Sequence, residues 1–445
     1  MKGSGLKARF SRTSGLSVLT FGASKMLRLI SNLILTRLLF PEAFGTMALV
    51  TVLLTGLQMF SETGVRESIL QSKRGEEPAF LNTAWTIQII RGAILWLLTI
   101  PLGMLAAEFY EVPELAMMLP VGGVILFIEG FRPTWFFGAQ RKLQIGRLTV
   151  LGLASGIIGL IATATLAWWL QSVWALIYGM IVSRISIVIL LYLFRQGALN
   201  QLQLERDAVW ELLHFGKWLF ISTICGFLNR EGDKLILGKY LALATLGFYQ
   251  IAYLLASVPQ LLGVTVYNQV LIPYLREKPP AQSRANFLAF RRIRMIVTGG
   301  LACLTLAVAL LGPFLVGVLY DDRYAQAGSI VVMISLVMLP ALIVEGYSKI
   351  SLHKGNSRDF AASTLIRTVL NISFMLIGIS YAGIFGALIG LGLGRSIHYP
   401  VVARLAHRYG AWDPKLDLAL VLFAACGSAL VVYLHHDALL ALMAL

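Results

Sequence analysis

Residues 218–237 read WLFISTICGFLNREGDKLIL. Apolar sequence encloses four charges, Arg230, Glu231, Asp233 and Lys234, and continues beyond them as GKYLALATLGF. Two settings tolerate such a stretch: a solvated loop, or a membrane-crossing helix that turns its charges toward a wet cavity. The rest of the chain selects the second. Of 445 residues, 58% are hydrophobic and 13% charged, and the mean hydropathy is +0.77. One soluble core cannot hide that much apolar surface. The apolar residues fall in blocks of about 20 or more, the length a helix needs to cross ~30 Å of hydrocarbon. The expected fold class is an all-α polytopic membrane protein.

Helices are predicted at 16–39, 43–61, 81–106, 117–138, 148–170 and 172–194, then at 212–238, 246–275, 292–318, 327–350, 361–380 and 383–405. Residues 417–434 are a candidate thirteenth span. No cleavable signal peptide is expected, because the first apolar segment runs on to Phe40 and no small-residue cleavage site follows it. Positive charges then orient the chain. Lys2, Lys7, Arg9 and Arg12 precede the first span; Arg66, Lys73 and Arg74 follow the second; Arg141, Lys142 and Arg147 follow the fourth. The pattern continues with Arg195, Arg206 and Lys217, with Arg276 to Arg294, with Lys354 and Arg358, and with Arg404, Arg408 and Lys415. The alternate loops, AEFYEVPEL, LQS and YAGIFG, carry no positive charge. The positive-inside rule gives a cytoplasmic N-terminus and twelve core spans, and it accounts for most of the +15 net charge without nucleic acid as a partner.

The polar segment 196–211 divides an N-terminal six-helix lobe (1–195) from a C-terminal one (212–410), with 411–445 as a C-terminal extension. The halves echo each other. Phe21-Gly22 and Phe215-Gly216 each open a leucine-rich helix that ends with a cation, Arg37 or Lys239, before Phe44-Gly45 or Leu246-Gly247 starts the next. With an even number of spans per half, the repeats would be parallel lobes, an arrangement in which transporters place substrate between the halves.

Several stretches in order resemble the polysaccharide transport (Wzx-like) flippases of the multidrug/oligosaccharidyl-lipid/polysaccharide exporter superfamily. They are RLLFPEAFGTMALV, SETGVRESILQSK, FFGAQRKLQIGRLTV, VWALIYGMIV and GDKLILGKYLALATLGFYQIAYLL. The resemblance implies two six-helix lobes around a central cavity in the bacterial cytoplasmic (inner) membrane. It implies a polyprenyl-diphosphate-linked oligosaccharide moved from the cytoplasmic to the outer leaflet, for O-antigen, capsule or exopolysaccharide synthesis. It also implies a polysaccharide polymerase and export machinery as partners.

A diphosphate wants cations, arginine above all for bidentate contacts, and an intramembrane charge costs roughly 3 kcal/mol or more, which makes each a functional candidate. The cationic candidates are Lys25, Arg28, Arg91, Arg132 and Arg184 in the first half, and Arg230, Lys234, Arg367 and Arg395 in the second. Lys25 and Arg28 share a helix face with no acid nearby. Arg91 and Arg184 also fit helix ends, from which they would snorkel to the interface. Arg132 precedes Pro133, with Glu129 one turn back as an ion-pair partner. Arg230 with Asp233, and Glu231 with Lys234, are spaced to pair. They form a structural knot or, with Glu231 or Asp233 exchanging a proton or sodium ion, a coupling site. Gly226 and Gly232 offer points at which that helix can bend.

Weaker expectations attach to other residues. Glu345 and Lys349 are spaced as a cytoplasmic-end pair, and His398 reads as a hydrogen-bonded packing residue. Trp135 to Phe137 and Trp168-Trp169 suggest membrane interfaces. Tyr249, Tyr253 and Tyr267 are sugar-stacking or packing residues. Cys225, Cys303 and Cys426 lie in apolar runs and read as small hydrophobes. No phosphate loop, metal-ligand spacing or large polar loop supports an enzyme, and no cofactor is expected. The alternatives are a lipid II flippase, a multidrug antiporter of the same superfamily, and a membrane-embedded polymerase. A cation-exporting antiporter calls for intramembrane acids where this chain carries bases, and a polymerase calls for an outer loop larger than any here.

Overall fold

The computed structural model describes residues 22–24, 26–61, 65–72, 74–141, 145–195, 197–216, 220–348, 350 and 356–444. Lys25, Lys349 and the basic residues of 1–12 lie outside the described residues. The described residues form helices and turns and no strand. Two compact units meet at Ile224 and Cys225.

In the first unit, α1 (26–38), α2 (Pro41–Phe60), α4 (Pro78–Tyr110), α5 (Leu115–Gly130), α7 (Ile145–Leu170) and α8 (Trp174–Leu193) are the long apolar helices. Short helices α3 (Val65–Gln71), α6 (Trp135–Arg141) and α9 (Arg206–Gly216) accompany them. Tight turns build the hairpins: Glu111 (φ 58°) reverses the chain between α4 and α5, and Gln171 (φ 46°) between α7 and α8. The α4–α5 hairpin packs backbone to backbone. A Cβ on Gly92 would lie 2.7 Å from the Leu126 carbonyl oxygen, and one on Gly130 would lie 2.8 Å from that of Gln88. That approach brings Gln88 and Arg91 level with Glu129. At the same end of the unit, Ala208 and Leu212 of α9 are buried against Val65, Ile69, Phe80, Ala84 and Phe137. Full burial of a side chain such as Leu212 or Phe80 is worth roughly 1.5–3 kcal/mol, enough to hold a short amphipathic helix in place.

In the second unit, α10 (Phe220–Tyr240), α11 (Leu243–Ala256) and α12 (Val258–Val266) lead through a π-helical turn, Tyr267–Leu271, into α13 (Ile272–Glu277). Then come α14 (Arg284–Leu319), α15 (Gln326–Ser348), α16 (Ser357–Ile397), α17 (Tyr399–Arg408), α18 (Pro414–Leu434) and the short α19 (His436–Ala441). Helix α16 is a hairpin. Ala382 and Gly383 have non-helical backbones, Gly383 at φ 53° and ψ −138°. The two limbs fold together so closely that a Cβ on Gly386 would lie 2.0 Å from the Gly378 carbonyl oxygen, and one on Gly390 2.0 Å from that of Phe374. This is the close small-residue packing that apolar helices use in lipid, where burial against a neighbour gains little hydrophobic energy.

Among the described residues, eight helices are long and apolar enough to cross a membrane, and the bent α11–α12 pair makes nine. The α16 hairpin contributes two limbs, and α5 is a shorter apolar helix of 16 residues. Exposed Ile94, Leu97, Leu98, Met104 and Leu105 on α4, and Leu418, Leu422 and Phe423 on α18, form lipid-facing surfaces. The all-α polytopic expectation holds, and 414–434 is a full-length apolar helix.

Several boundaries differ from the sequence expectation. The expected 117–138 helix ends at Gly130, because Pro133 lacks the amide that would continue the ladder. The expected span from 212 falls on α9, which begins at Arg206, and on α10; residues 217–219 between them lie outside the described residues. The expected 246–275 helix bends by 42° between α11 and α12, before Pro259.

Candidate functional site

In the first unit, helices α2, α4, α5 and α8 converge on Glu129. Its Oε2 accepts a hydrogen bond from Gln58 Nε2 at 2.6 Å, and its Oε1 accepts from Arg132 Nη2 at 2.9 Å and Arg184 Nη1 at 3.0 Å. A cavity of about 140 Å³ adjoins them, lined by Gln58, Gln88, Arg91, Glu129, Arg132 and Phe137 with apolar neighbours. Arg132 Nε and Gln88 Nε2 are buried without a hydrogen-bond partner, and the Arg132 guanidinium lies 4.9 Å from the centre of the Phe136 ring. The spacing of Arg132 and Glu129 anticipated their ion pair. Arg184 is not at a helix end as considered from sequence; it sits mid-way along α8 and shares the same carboxylate. Arg91, Arg132 and Arg184 thus gather around the Glu129 end of α5. Arg28 lines a separate groove of about 300 Å³ with Ser24, Ser31, Asn32 and Gly156.

In the second unit, Lys234 Nζ lies 2.6 Å from Glu231 Oε2 and 5.4 Å from the centre of the Tyr253 ring. The Asp233 carboxylate accepts the Tyr249 hydroxyl and the Lys234 amide. A small pocket beside it is lined by Asn229, Gly232, Asp233, Tyr253, Asn371 and Arg395. Asn229 Nδ2 donates to Thr368 Oγ1, and Arg395 Nη1 donates to the Val337 carbonyl at 3.2 Å. Arg230 is exposed, and Arg367 is half-buried with Nε lacking a hydrogen-bond partner. Asp233, Tyr253 and Arg395 therefore share one pocket, while Lys234 is held by Glu231 beside it. Tyr249 and Tyr267 are buried; Tyr267 shares a hydrogen bond with Thr298 at 2.5 Å, so both have packing environments. His398 Nε2 lies 3.0–3.1 Å from Ser363 oxygens, in keeping with its expected packing role.

Trp135 Nε1 donates to the Leu191 carbonyl near the end of α8 at 3.2 Å, and Phe137 is 7% exposed and lines the cavity. Exposed Trp168 and Trp169 do have a surface setting. Arg294, counted above among loop charges, is fully buried in α14. Its Nη2 lies 2.8 Å from Asp417 Oδ1, and Asp417 Oδ2 accepts the hydroxyls of Tyr347 at 2.9 Å and Tyr399 at 2.7 Å. Sequence reasoning missed this cluster because its partner is 123 residues away on the extension helix.

The 196–211 connection is also more than a spacer. The amides of Gln201, Gln203 and Glu205 donate to Asn82 Oδ1, Thr86 Oγ1 and Thr83 Oγ1 at 3.0–3.1 Å, which straps the segment along the start of α4. Arg74 clamps it, with Nε 2.8 Å from Glu77 and Nη2 2.7 Å from Glu205. The hydrogen bond to Glu77, then that to Glu205, raises the Arg74 pKa above its ordinary value. Among the described residues, no group of three His, Cys, Asp or Glu side chains is placed to hold a metal ion.

Residues 34–329, about two thirds of the chain, match the profile of the family described as polysaccharide biosynthesis protein. The chain is 20% identical over 380 residues to the lipopolysaccharide biosynthesis protein WzxC of Escherichia coli (strain K12), covering 84% of this chain and 75% of that one. It is 23% identical over 266 residues to the succinoglycan biosynthesis transport protein ExoT of Rhizobium meliloti (strain 1021), covering 59% of this chain and 53% of that one. The fold is shared with the lipid II flippase MurJ in an inward closed conformation: TM-score 0.73, 15% identity, 94% of this chain and 92% of that one. It is also shared with an inward-facing multidrug resistance MATE family transporter of the MOP superfamily: TM-score 0.57, 14% identity, 91% and 96% coverage. The family match along two thirds of the chain, together with this helical architecture, places the protein: it belongs to the polysaccharide biosynthesis protein family and is a multi-pass membrane protein of transporter fold.

Proposed function

We propose that this protein is a flippase that moves a polyprenyl-diphosphate-linked oligosaccharide from the cytoplasmic to the outer leaflet of the bacterial inner membrane. The observation that carries the reading is the cation-rich cavity of the first unit, where Arg91 and Arg132 face a polar space and Arg184 reaches the same carboxylate. Guanidinium forks match phosphate oxygens in geometry and charge, and charged side chains held among apolar helices are functional candidates. Arg28, on its own groove with Ser31 and Asn32, adds a second cationic surface that suits a headgroup.

Asp233 and Glu231 in the second unit are the candidates for coupling to a proton or sodium gradient. They are the acids of α10, and Asp233 borders the pocket that also holds Arg395. No cofactor takes part. A polymerase and export machinery would act on the delivered saccharide.

The test is export of a labelled polyprenyl-diphosphate oligosaccharide in proteoliposomes. Wild type is expected to move it, and Arg132→Ala and Arg91→Ala to insert normally while losing most transport. Wild-type transport by both variants would remove the cavity from the mechanism. Full gradient-driven transport by a Glu231→Gln, Asp233→Asn protein would sink the coupling assignment. A small-molecule cation exported in place of the saccharide lipid would favour the antiporter alternative.

A further inference from the structure

The arginine cavity of the first unit already contains an anion of the protein's own. Both oxygens of Glu129 are engaged: Oε1 by Arg132 and Arg184 together, Oε2 by Gln58. Two guanidiniums and an amide aimed at one carboxylate make the kind of donor set that holds a phosphate group. We propose, building on the flippase reading above, that Glu129 is a resident counter-anion which a phosphate-bearing headgroup displaces on binding and which reclaims the arginines to drive the headgroup out.

Three features set this arrangement apart from a fixed ion pair. The first is room: the cavity of about 140 Å³ beside Glu129 is several times the roughly 30 Å³ that one water occupies in the liquid. The second is unsatisfied donors. Arg132 Nε and Gln88 Nε2, both from cavity-lining residues, are buried with no acceptor. A buried donor without a partner is unfavourable and calls for an occupant. An incoming phosphate oxygen would supply the acceptor that these donors lack in the Glu129-bound arrangement. The third is freedom to move. Glu129 lies one residue before the end of α5, and Arg132 lies in the non-helical stretch ahead of α6. Their pairing can break without opening the body of a helix, while Arg184 stays fixed in the middle of α8.

The chemistry explains why such an acid belongs in a cationic site. Without Glu129, Arg132 and Arg184 would hold a diphosphate too firmly for release. A tethered carboxylate competes with the bound phosphate in the loaded state and offsets part of the positive charge in the empty one, which eases the return of the empty transporter. Glu129 thus sets the balance between capture and release rather than contributing to capture.

The probe is inorganic pyrophosphate, titrated calorimetrically into the full-length protein in nanodiscs at fixed ionic strength. Glu129→Gln is expected to bind it at least tenfold more tightly than wild type. Glu129→Asp, whose shorter side chain cannot span both guanidiniums, is expected to fall between and keeps the test open if the glutamine variant does not fold. Adding Arg132→Ala to Glu129→Gln should return affinity to the wild-type level or below. In proteoliposomes, Glu129→Gln should lower both KM and maximal export rate for the saccharide lipid. Unchanged or weaker pyrophosphate binding in both Glu129 variants overturns the proposal. The two readings fail separately: tighter pyrophosphate binding in a protein whose wild type moves no saccharide lipid sinks the flippase and leaves the counter-anion. Robust wild-type export with unaltered affinities in the variants does the reverse.

Discussion

Asp417→Leu should be among the most destabilising single substitutions in the second unit. Arg294 is 0% exposed and Asp417 2%, and their 2.8 Å pair lies among α14, α15 and α18. Removing one member of a buried pair leaves the other charge uncompensated, which costs about 3–5 kcal/mol. The hydroxyls of Tyr347 and Tyr399 lose their acceptor at the same time, each at roughly 1–3 kcal/mol if nothing replaces it. Because the losses share one carboxylate, they overlap. The expected total is about 4–6 kcal/mol, the upper end of the single-pair range with part of one hydroxyl penalty added. Arg294→Met alone should lose a similar amount through Asp417. The double variant Arg294→Met, Asp417→Leu, which leaves the Tyr347 and Tyr399 hydroxyls to accept the Asp413 amide and Trp412 Nε1, should recover most of the loss. Arg294 Nε and Nη1 have no hydrogen-bond partner, so the native pair is incompletely satisfied, the situation in which apolar replacement gains stability. The assay is equilibrium unfolding of the detergent-purified protein, followed by circular dichroism. A loss under ~1 kcal/mol for either single variant, the range of exposed ion pairs, would refute the argument from burial. So would a combined variant no better than the singles.

The α16 hairpin gives a steric prediction: Gly386→Leu, facing the Gly378 carbonyl, should cost at least about 1–3 kcal/mol through overpacking and reduce the folded, monodisperse fraction. Gly152→Ala in α7, with open space around its Cβ, should be neutral or stabilise by up to about 1 kcal/mol in the same measurement. In the strap, Asn82→Ala, Thr83→Val and Thr86→Val together should speed amide hydrogen exchange at Gln201, Gln203 and Glu205, with α8 unaffected. Unchanged exchange would mean that those side chains do not hold the segment. Arg132→Lys should lower saccharide-lipid export about tenfold or more, because an ammonium cannot keep both the Glu129 hydrogen bond and the Phe136 contact.

Local pattern and lipid physics made much of the fold legible. An apolar block of membrane length has one low-energy form in hydrocarbon, an internally hydrogen-bonded helix, and α2, α7, α8 and α14 appear where hydropathy placed them. Neighbours on one helix were legible too: Glu129 with Arg132, and Glu231 with Lys234, pair as their i,i+3 spacing implied. The boundaries that shifted did so at Pro133 and at Pro259, where a window average over hydropathy hides a break in direction.

Composition and spacing by themselves determined that this chain is a polytopic helical membrane protein, and the ordered motifs resembled the family to which it belongs. Only the tertiary structure decided which charges meet. Arg184 finds Glu129 across 55 residues, Arg294 finds Asp417 across 123, and Arg74 finds Glu205 across 131. The reason is physical: a helix fixes the geometry of residues three or four apart, whereas long-range pairs depend on which helix faces oppose each other, and local sequence does not encode that.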